Sequence, residues 1–232
     1  QDEGGVIIIG VSEVEGAIYN PEGFDIHDVM RHRTEHGSIL SYPGAKAFGK
    51  DERRAVMEFE CDILVPAALE NQIDEDNAGD VKAKIIAEAA NGPVTAGGAA
   101  ILAERGIVVL PDIYLNAGGV TVSYFEWLKN LSHMRFGRLQ KRFDEQNYRR
   151  IVEQIETTTG KEISDRDRQM IIHGADEIDL VRSGLEETMI SGFRGIYDLY
   201  LEKEGIKDLR TAAFALAISK ISNDYISLGI WP

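Results

Sequence analysis

The sequence holds a single cysteine, Cys61, so no disulfide can close within the chain, which suits a reducing compartment. Cys61 precedes the apolar run Ile63–Val65 and has no histidine near it in sequence, so it reads as a buried, inert thiol. No apolar run approaches the roughly 18 residues that a membrane span needs. Basic residues are few: 25 Lys and Arg stand against 39 Asp and Glu, a formal net charge of -14. Nucleic acid and anionic membranes are therefore repelled by the chain as a whole. Metal ligands are equally scarce. His27, His32 and His36 lie on one helical stretch, but only His32 and His36 share a face, and no third ligand accompanies them. Internal repeats and low-complexity tracts are missing. The opening, Gln1-Asp2-Glu3-Gly4-Gly5, reads as neither a signal peptide nor an Arg-rich transit peptide. No G-x-G-x-x-G occurs: Gly10 and Gly16 are too far apart, and Gly118-Gly119 lacks the third glycine.

What is present fits an α/β protein. With 232 residues, 44% of them hydrophobic, the chain can build a sizeable core in one or two domains. Val6–Val11 predicts a buried strand, since it is rich in β-branched residues. It runs into an acidic loop, Ser12-Glu13-Val14-Glu15-Gly16, and Asn20-Pro21-Glu22-Gly23 predicts a turn. Asp25–His36 predicts an amphipathic helix stopped at Gly37. Strands are expected at Ile63–Val65, Lys84–Glu88 and Ile107–Leu110, with a helix over Ala96–Arg105. Strands separated by helical stretches argue for a parallel sheet of the doubly wound, Rossmann type.

The stretch Pro111–Asn130 organises the rest. A strand leads through the expected turn Asn116-Ala117-Gly118-Gly119 into a helix over Val120–Leu131. In open α/β sheets ligands sit at the carboxyl ends of strands, and helix N-termini present unpaired amides. Asn116 would offer a carboxamide there and Ser123 a hydroxyl one turn in. Ordinary capping and turn chemistry explains the same residues. Beyond Leu131 the chain turns helical and charged. Phe143, Ile151 and Ile155 keep helical spacing, Thr157-Thr158-Thr159-Gly160 breaks it, and another helical segment starts near Ser164. A long helix is expected over Ala175–Glu204. Its apolar stripe runs through Ile178, Val181, Leu185, Met189, Phe193, Ile196 and Tyr200. Its glycines, Gly184, Gly192 and Gly195, cost helix stability or mark close packing. Asp208 caps a last helix, Leu209–Leu228.

The residues PDIYLNAGGVTVSYFEWLKN closely resemble the cofactor-side segment of glutamate dehydrogenases. CDILVPAALE, KAKIIAEAANGP and DLRTAAFALAI resemble the same family in the same order, so four separated motifs agree. The resemblance implies an incomplete Rossmann-type domain over 1–131 without its first strand and glycine loop. A helical antenna over 132–178 follows, then a pivot helix and C-terminal helix over 179–232. NLSHMRFGRLQ resembles the start of the antenna and DLVRSGLEETMISGFRG the return into the pivot. On this reading the chain corresponds to the C-terminal half of the enzyme, beginning inside its cofactor domain. The family's catalytic Lys and Asp belong to the upstream half.

The family reaction is reversible oxidative deamination of L-glutamate to 2-oxoglutarate and ammonia, with NAD or NADP as the hydride carrier. By resemblance, Glu13 and Glu15 are candidates for the adenosine ribose contact, a carboxylate favouring NAD over NADP. Ala67 and Ala68 pass their backbone beside the cofactor, and Asn91 and Asn116 reach its nicotinamide end. Val120 and Ser123 touch the amino acid. Arg182 and Arg194 match positions near regulatory purine-nucleotide sites, although animal relatives carry histidine at the first. The resemblance further implies a homo-hexamer built as two trimers, in the mitochondrial matrix, with the chain alone inactive. A competing reading is a non-catalytic regulatory or assembly module that reuses the fold.

Overall fold

The computed structural model describes residues 1–2, 4–131, 136–173 and 177–229. They fall into two compact units. One combines Gln1–Leu115 with Lys203–Pro232, and the other is Asn116–Glu202.

The first unit holds two three-stranded sheets. In one, β1 (Ile8–Glu13), β2 (Gly16–Phe24) and β3 (Lys46–Gly49) are antiparallel neighbours. This corrects the expectation that Val6–Val11 is a buried strand of the parallel sheet. Val6 and Ile7 lie outside the strand and are exposed. A continuous β-branched run fits a half-covered antiparallel strand as well as a parallel one. The hairpin depends on Gly16, whose φ of 151° and whose approach to the Phe48 carbonyl leave no room for a Cβ. The Asn20–Gly23 turn chemistry is real but does not reverse the chain. It bulges β2, so that pairing jumps from Ile8↔Phe24 to Gly10↔Tyr19. Asn20 holds the bulge, donating to the Gly23 carbonyl at 2.9 Å and accepting the Glu22 amide at 3.0 Å.

Helix α1 (Ile26–His36) forms as its ends dictate. Asp25 accepts the amides of His27 and Asp28, and Gly37 closes the helix at φ 76°, donating to the Arg33 carbonyl. Its Val29 packs with Ile18, Phe24 and Ile39 in a small core. A 3-10 helix over Lys50–Glu58 leads on to the second sheet.

That sheet is parallel, in the order β4 (Ile63–Leu64), β5 (Ile85–Ala87), β6 (Val108–Leu110). Helix α2 (Ala96–Glu104) makes the crossover from β5 to β6, capped by Thr95. No helix of the described residues joins β4 to β5; that connection is irregular, and the three parallel strands run in sequence order without a reversal. Ile73, Val81, Ile86, Val94 and Leu102 form the main core, with Cys61 packed at its edge. Cys61 is only partly buried, not enclosed as expected; burial and the neighbouring Asp62 push its thiol up. The unit is completed by α3 (Asp112–Leu115) and α8 (Leu209–Ser227). Asp208 caps α8 by accepting the Thr211 amide at 2.7 Å.

The second unit is helical: α4 (Ala117–Leu131), α5 (Phe136–Thr159), α6 (Asp165–His173) and α7 (Glu177–Glu202). The expected turn at Asn116–Gly119 is instead the first turn of α4, so Gly118 and Gly119 are helical. Likewise Thr157–Thr159 end α5 as helix, their break falling at Gly160 with φ 65°. The Thr157 and Thr159 hydroxyls donate back to the Glu153 and Ile155 carbonyls four residues earlier, so their side chains are satisfied within the helix. Gly184 is a packing glycine: the Phe125 ring of α4 comes within 3.3 Å of where its Cβ would stand. Helices α5 and α6 are clamped by Arg168, which donates to both carboxylate oxygens of Glu156 at 2.7 Å. Phe143, Ile151 and Ile155 stay exposed, whereas Val152 is fully buried. Residues 132–135, within the first quoted antenna motif, lie outside the described residues, as do residues 174–176, where the helix expected from Ala175 starts.

Candidate functional site

Three loops follow the carboxyl ends of the parallel strands. After β4, Pro66 is buried while Ala67 and Ala68 are exposed. After β5 comes Glu88–Pro93, with Asn91 exposed. The two loops are tied by backbone: the Ala89 amide donates to the Pro66 carbonyl at 3.1 Å and the Asn71 amide to the Gly92 carbonyl at 2.9 Å. Gly92 has φ 54°, and a Cβ there would meet nothing within 4 Å. Small side chains and open space thus sit together at this edge of the sheet. After β6, buried Pro111 leads into Asp112.

A charge cluster joins the loops after β5 and β6 to α8. Glu88 is fully buried, and its Oε2 takes both an Arg210 ion pair and the Asp112 amide, the latter at 2.8 Å. Arg210, from α8, also donates to Asp112 Oδ1 at 2.8 Å. Asp112 Oδ2 accepts the Gly92 amide at 2.8 Å, and its Oδ1 accepts the Ile113 amide at 2.9 Å. Burial pushes the Asp112 carboxyl up, but the two amides and Arg210 together outweigh it and hold it below the usual carboxylate range. Burial draws the Arg210 guanidinium down, while Glu88 and Asp112 raise it further. Sequence reasoning missed this cluster. Its signal was a glutamate inside the apolar run Ile85–Ala90, which demands a cation.

Among the other sequence-derived candidates, Glu13 and Glu15 flank the β1–β2 hairpin. Glu13 Oε1 pairs with Arg33 at 3.3 Å, and Glu15 Oε1 accepts the Ile39 amide at 3.4 Å. Asn116 stands immediately before α4 and is partly buried. Val120 and Ser123 lie on exposed positions of α4; the Ser123 hydroxyl donates to the Gly119 carbonyl at 3.0 Å. It sits in the second turn, because the helix starts earlier than the glycines suggest. Arg182 and Arg194 are exposed on α7. His32 and His36 stack at 4.1 Å, and no group of metal-ligating side chains occurs among the described residues. No described helix is long and apolar enough to cross a membrane.

Comparison with known proteins agrees along the chain. The family model "Glutamate/Leucine/Phenylalanine/Valine dehydrogenase" matches residues 1–182. A mitochondrial glutamate dehydrogenase of Dictyostelium discoideum is 48% identical over 228 residues, covering 98% of this chain and 45% of that protein. An NADP-specific glutamate dehydrogenase of Halobacterium salinarum is 37% identical over 228 residues, covering 98% and 44%. The chain thus spans about half the length of the curated relatives it matches. Among solved structures, the hetero-hexameric glutamate dehydrogenase of Thermus thermophilus superposes with a TM-score of 0.66 at 22% identity. It is covered to 43%, against 98% of this chain, and the likeness shows a shared fold. The chain belongs to the glutamate/leucine/phenylalanine/valine dehydrogenase family.

Proposed function

We propose that this chain is the cofactor-binding and regulatory portion of an NAD(P)-dependent glutamate dehydrogenase, which interconverts L-glutamate with 2-oxoglutarate and ammonia. The observation that carries the reading is the 48% identity, along 98% of the chain, with a protein named glutamate dehydrogenase. The edge of the parallel sheet supports the reading at the nicotinamide end, since Ala67, Ala68 and Gly92 leave space there and Asn91 adds an exposed carboxamide. Bound, the nicotinamide would supply the hydride chemistry, and the protein its orientation and electrostatics. Residence in the mitochondrial matrix is supported by the name of the Dictyostelium relative.

In this reading the partial dinucleotide domain is 1–131, the antenna 132–178 and the pivot with C-terminal helix 179–232. Asn91 and Asn116 serve the nicotinamide end, and Val120 and Ser123 the amino acid. Arg182 and Arg194 present guanidiniums to a purine-nucleotide effector. The exposed Phe143, Ile151 and Ile155 of α5 find partners on neighbouring copies, as a closed hexamer allows.

The test is Ser123→Ala in the full-length enzyme. To serve glutamate, the Ser123 hydroxyl turns its proton from the Gly119 carbonyl to the substrate carboxylate, a charged hydrogen bond. Its loss is worth about 1.5–3 kcal/mol, or roughly 10- to 100-fold. The glutamate KM is expected to rise by that order while the NAD KM holds. Wild-type constants for both substrates would refute the assignment.

A second expectation concerns cofactor choice. Glu13→Gln with Glu15→Gln removes the carboxylates that repel a 2′-phosphate. The ratio of kcat/KM for NAD to that for NADP should fall by about tenfold, the size of one charged contact. A neutral carboxamide at position 15 can still accept the Ile39 amide, so the hairpin survives. An unchanged ratio rules out both residues.

A further inference from the structure

Arg210 lies 122 residues along the chain from Glu88 and 98 from Asp112, yet it binds both. Its planar fork can serve two carboxylates at once, which a lysine ammonium on a flexible stem does not reproduce. Two amides hang on the carboxylates so held. Asp112 receives the amide of Gly92, the residue next to Asn91, and Glu88 receives the amide of Asp112 at the start of α3. Glu88 is fully buried, and its Oε1 has no hydrogen-bond partner, so its Oε2 contacts alone hold it. A cap alone needs no such arrangement: α8 is already capped by Asp208.

We infer that Arg210 is a positioning residue of the dehydrogenase reaction: by clamping Glu88 and Asp112 it fixes the Asn91-Gly92 loop in the pose that binds nicotinamide. This rests on the functional reading above. Arg210 does not itself touch the cofactor; it acts through the Asp112 carboxylate and the Gly92 amide. With the guanidinium gone, Asp112 keeps its amides and the loop its backbone ties, but the tie to α8 is lost and the Asn91-Gly92 turn loses that restraint on its pose.

The experiment uses the full-length enzyme and three variants: Arg210→Ala, Arg210→Lys and Asp112→Asn. Kinetic constants are taken per folded subunit, counted by circular dichroism and native mass. Arg210→Ala is expected to raise the NAD KM or lower kcat by about tenfold or more, the scale of one charged hydrogen bond. Lysine should not restore the constants. Because the Arg210 side chain is 31% exposed, added methylguanidinium can reach the vacated place and should recover part of the loss. Asp112→Asn leaves one oxygen for Arg210 but removes the second acceptor, so the Gly92 amide loses its partner and the relay breaks at its loop end, with a comparable loss expected. Wild-type NAD KM and kcat in the variants, with only a lowered melting temperature, would make the cluster merely structural and overturn the inference. Full activity of Arg210→Lys would overturn it too. If the wild-type enzyme itself forms no NADH from glutamate, the dehydrogenase reading falls first, and the inference with it.

Discussion

Glutamate-dependent NADH formation by the isolated 232-residue chain is expected to be nil. A dinucleotide is gripped at its pyrophosphate by a glycine-rich turn between a parallel strand and a helix. No G-x-G-x-x-G turn takes that place: the loop from β5 to α2 carries Gly92 alone, and Gly97 and Gly98 are helical in the first turn of α2. Gly10 lies in antiparallel β1 and Gly16 at its hairpin, while Gly118 and Gly119 are inside the first turn of α4. The loops that do follow parallel strands carry Pro66-Ala67-Ala68, Asn91-Gly92-Pro93 and Pro111-Asp112. These offer room and a carboxamide but no ring of amides for a diphosphate. Among the described residues, no lysine and aspartate stand together at this edge for acid–base work; Asp112 is spent on Gly92, Ile113 and Arg210. Acceleration by an enzyme usually exceeds about a millionfold, so losing both cofactor grip and acid–base groups removes turnover altogether. Absorbance of the reduced nicotinamide, with purified chain, glutamate and NAD, measures it, with the full-length enzyme as the positive control. Saturable, glutamate-dependent NADH production by the pure chain would overturn the expectation.

Much of the local structure was legible in the sequence because single residues enforce it. Asp25, Thr95 and Asp208 cap helices and Gly37 ends one, each where capping chemistry requires. The parallel strands β4, β5 and β6 stand within the expected runs. Failures came where two structures satisfy the same pattern. Ile7 and Ile8 suit a buried parallel strand or an antiparallel hairpin, and only the pairing of β1 with β2 decides. Gly118-Gly119 suits a turn, but the chain there is already helical from Ala117. For the site, the family motifs name Asn91, after β5, and Asn116 and Ser123, after β6 and α3, as candidates, and their roles belong to the proposed function. The Glu88–Asp112–Arg210 cluster spans 122 residues of sequence; a glutamate in an apolar run signals that a partner is needed, but no local pattern says which residue supplies it.

Arg210→Met is expected to cost the full-length protein about 3 kcal/mol of stability, because it strands a buried carboxylate. Glu88 is fully buried and Arg210 is its ion-pair partner, so removing the cation leaves the anion without compensation. The cost sits at the low end for buried pairs, since 31% of the Arg210 side chain meets solvent. Asp112 tolerates the change better: the Gly92 and Ile113 amides still hold its carboxylate. The double variant Glu88→Gln, Arg210→Met should regain most of the loss. No buried charge then remains, and the carboxamide oxygen introduced by Glu88→Gln can still accept the Asp112 amide, a bond of 2.8 Å in the wild type. A coupling of about 1–3 kcal/mol between the two substitutions is the size seen for residues in one network. Acidity should narrow the gap. Asp112 has its folded pKa depressed, so its contribution is present above the ordinary value of 3.8 and is lost as pH falls through the folded pKa. Part of that depression comes from Arg210, so wild type loses more than Arg210→Met does as pH falls below 3.8, and the gap narrows by that part. Urea unfolding of the wild type and the single and double variants, at neutral pH and at about pH 3.5, measures both effects. A double variant as weak as the sum of its parts would show that Glu88 and Arg210 do not act as a pair.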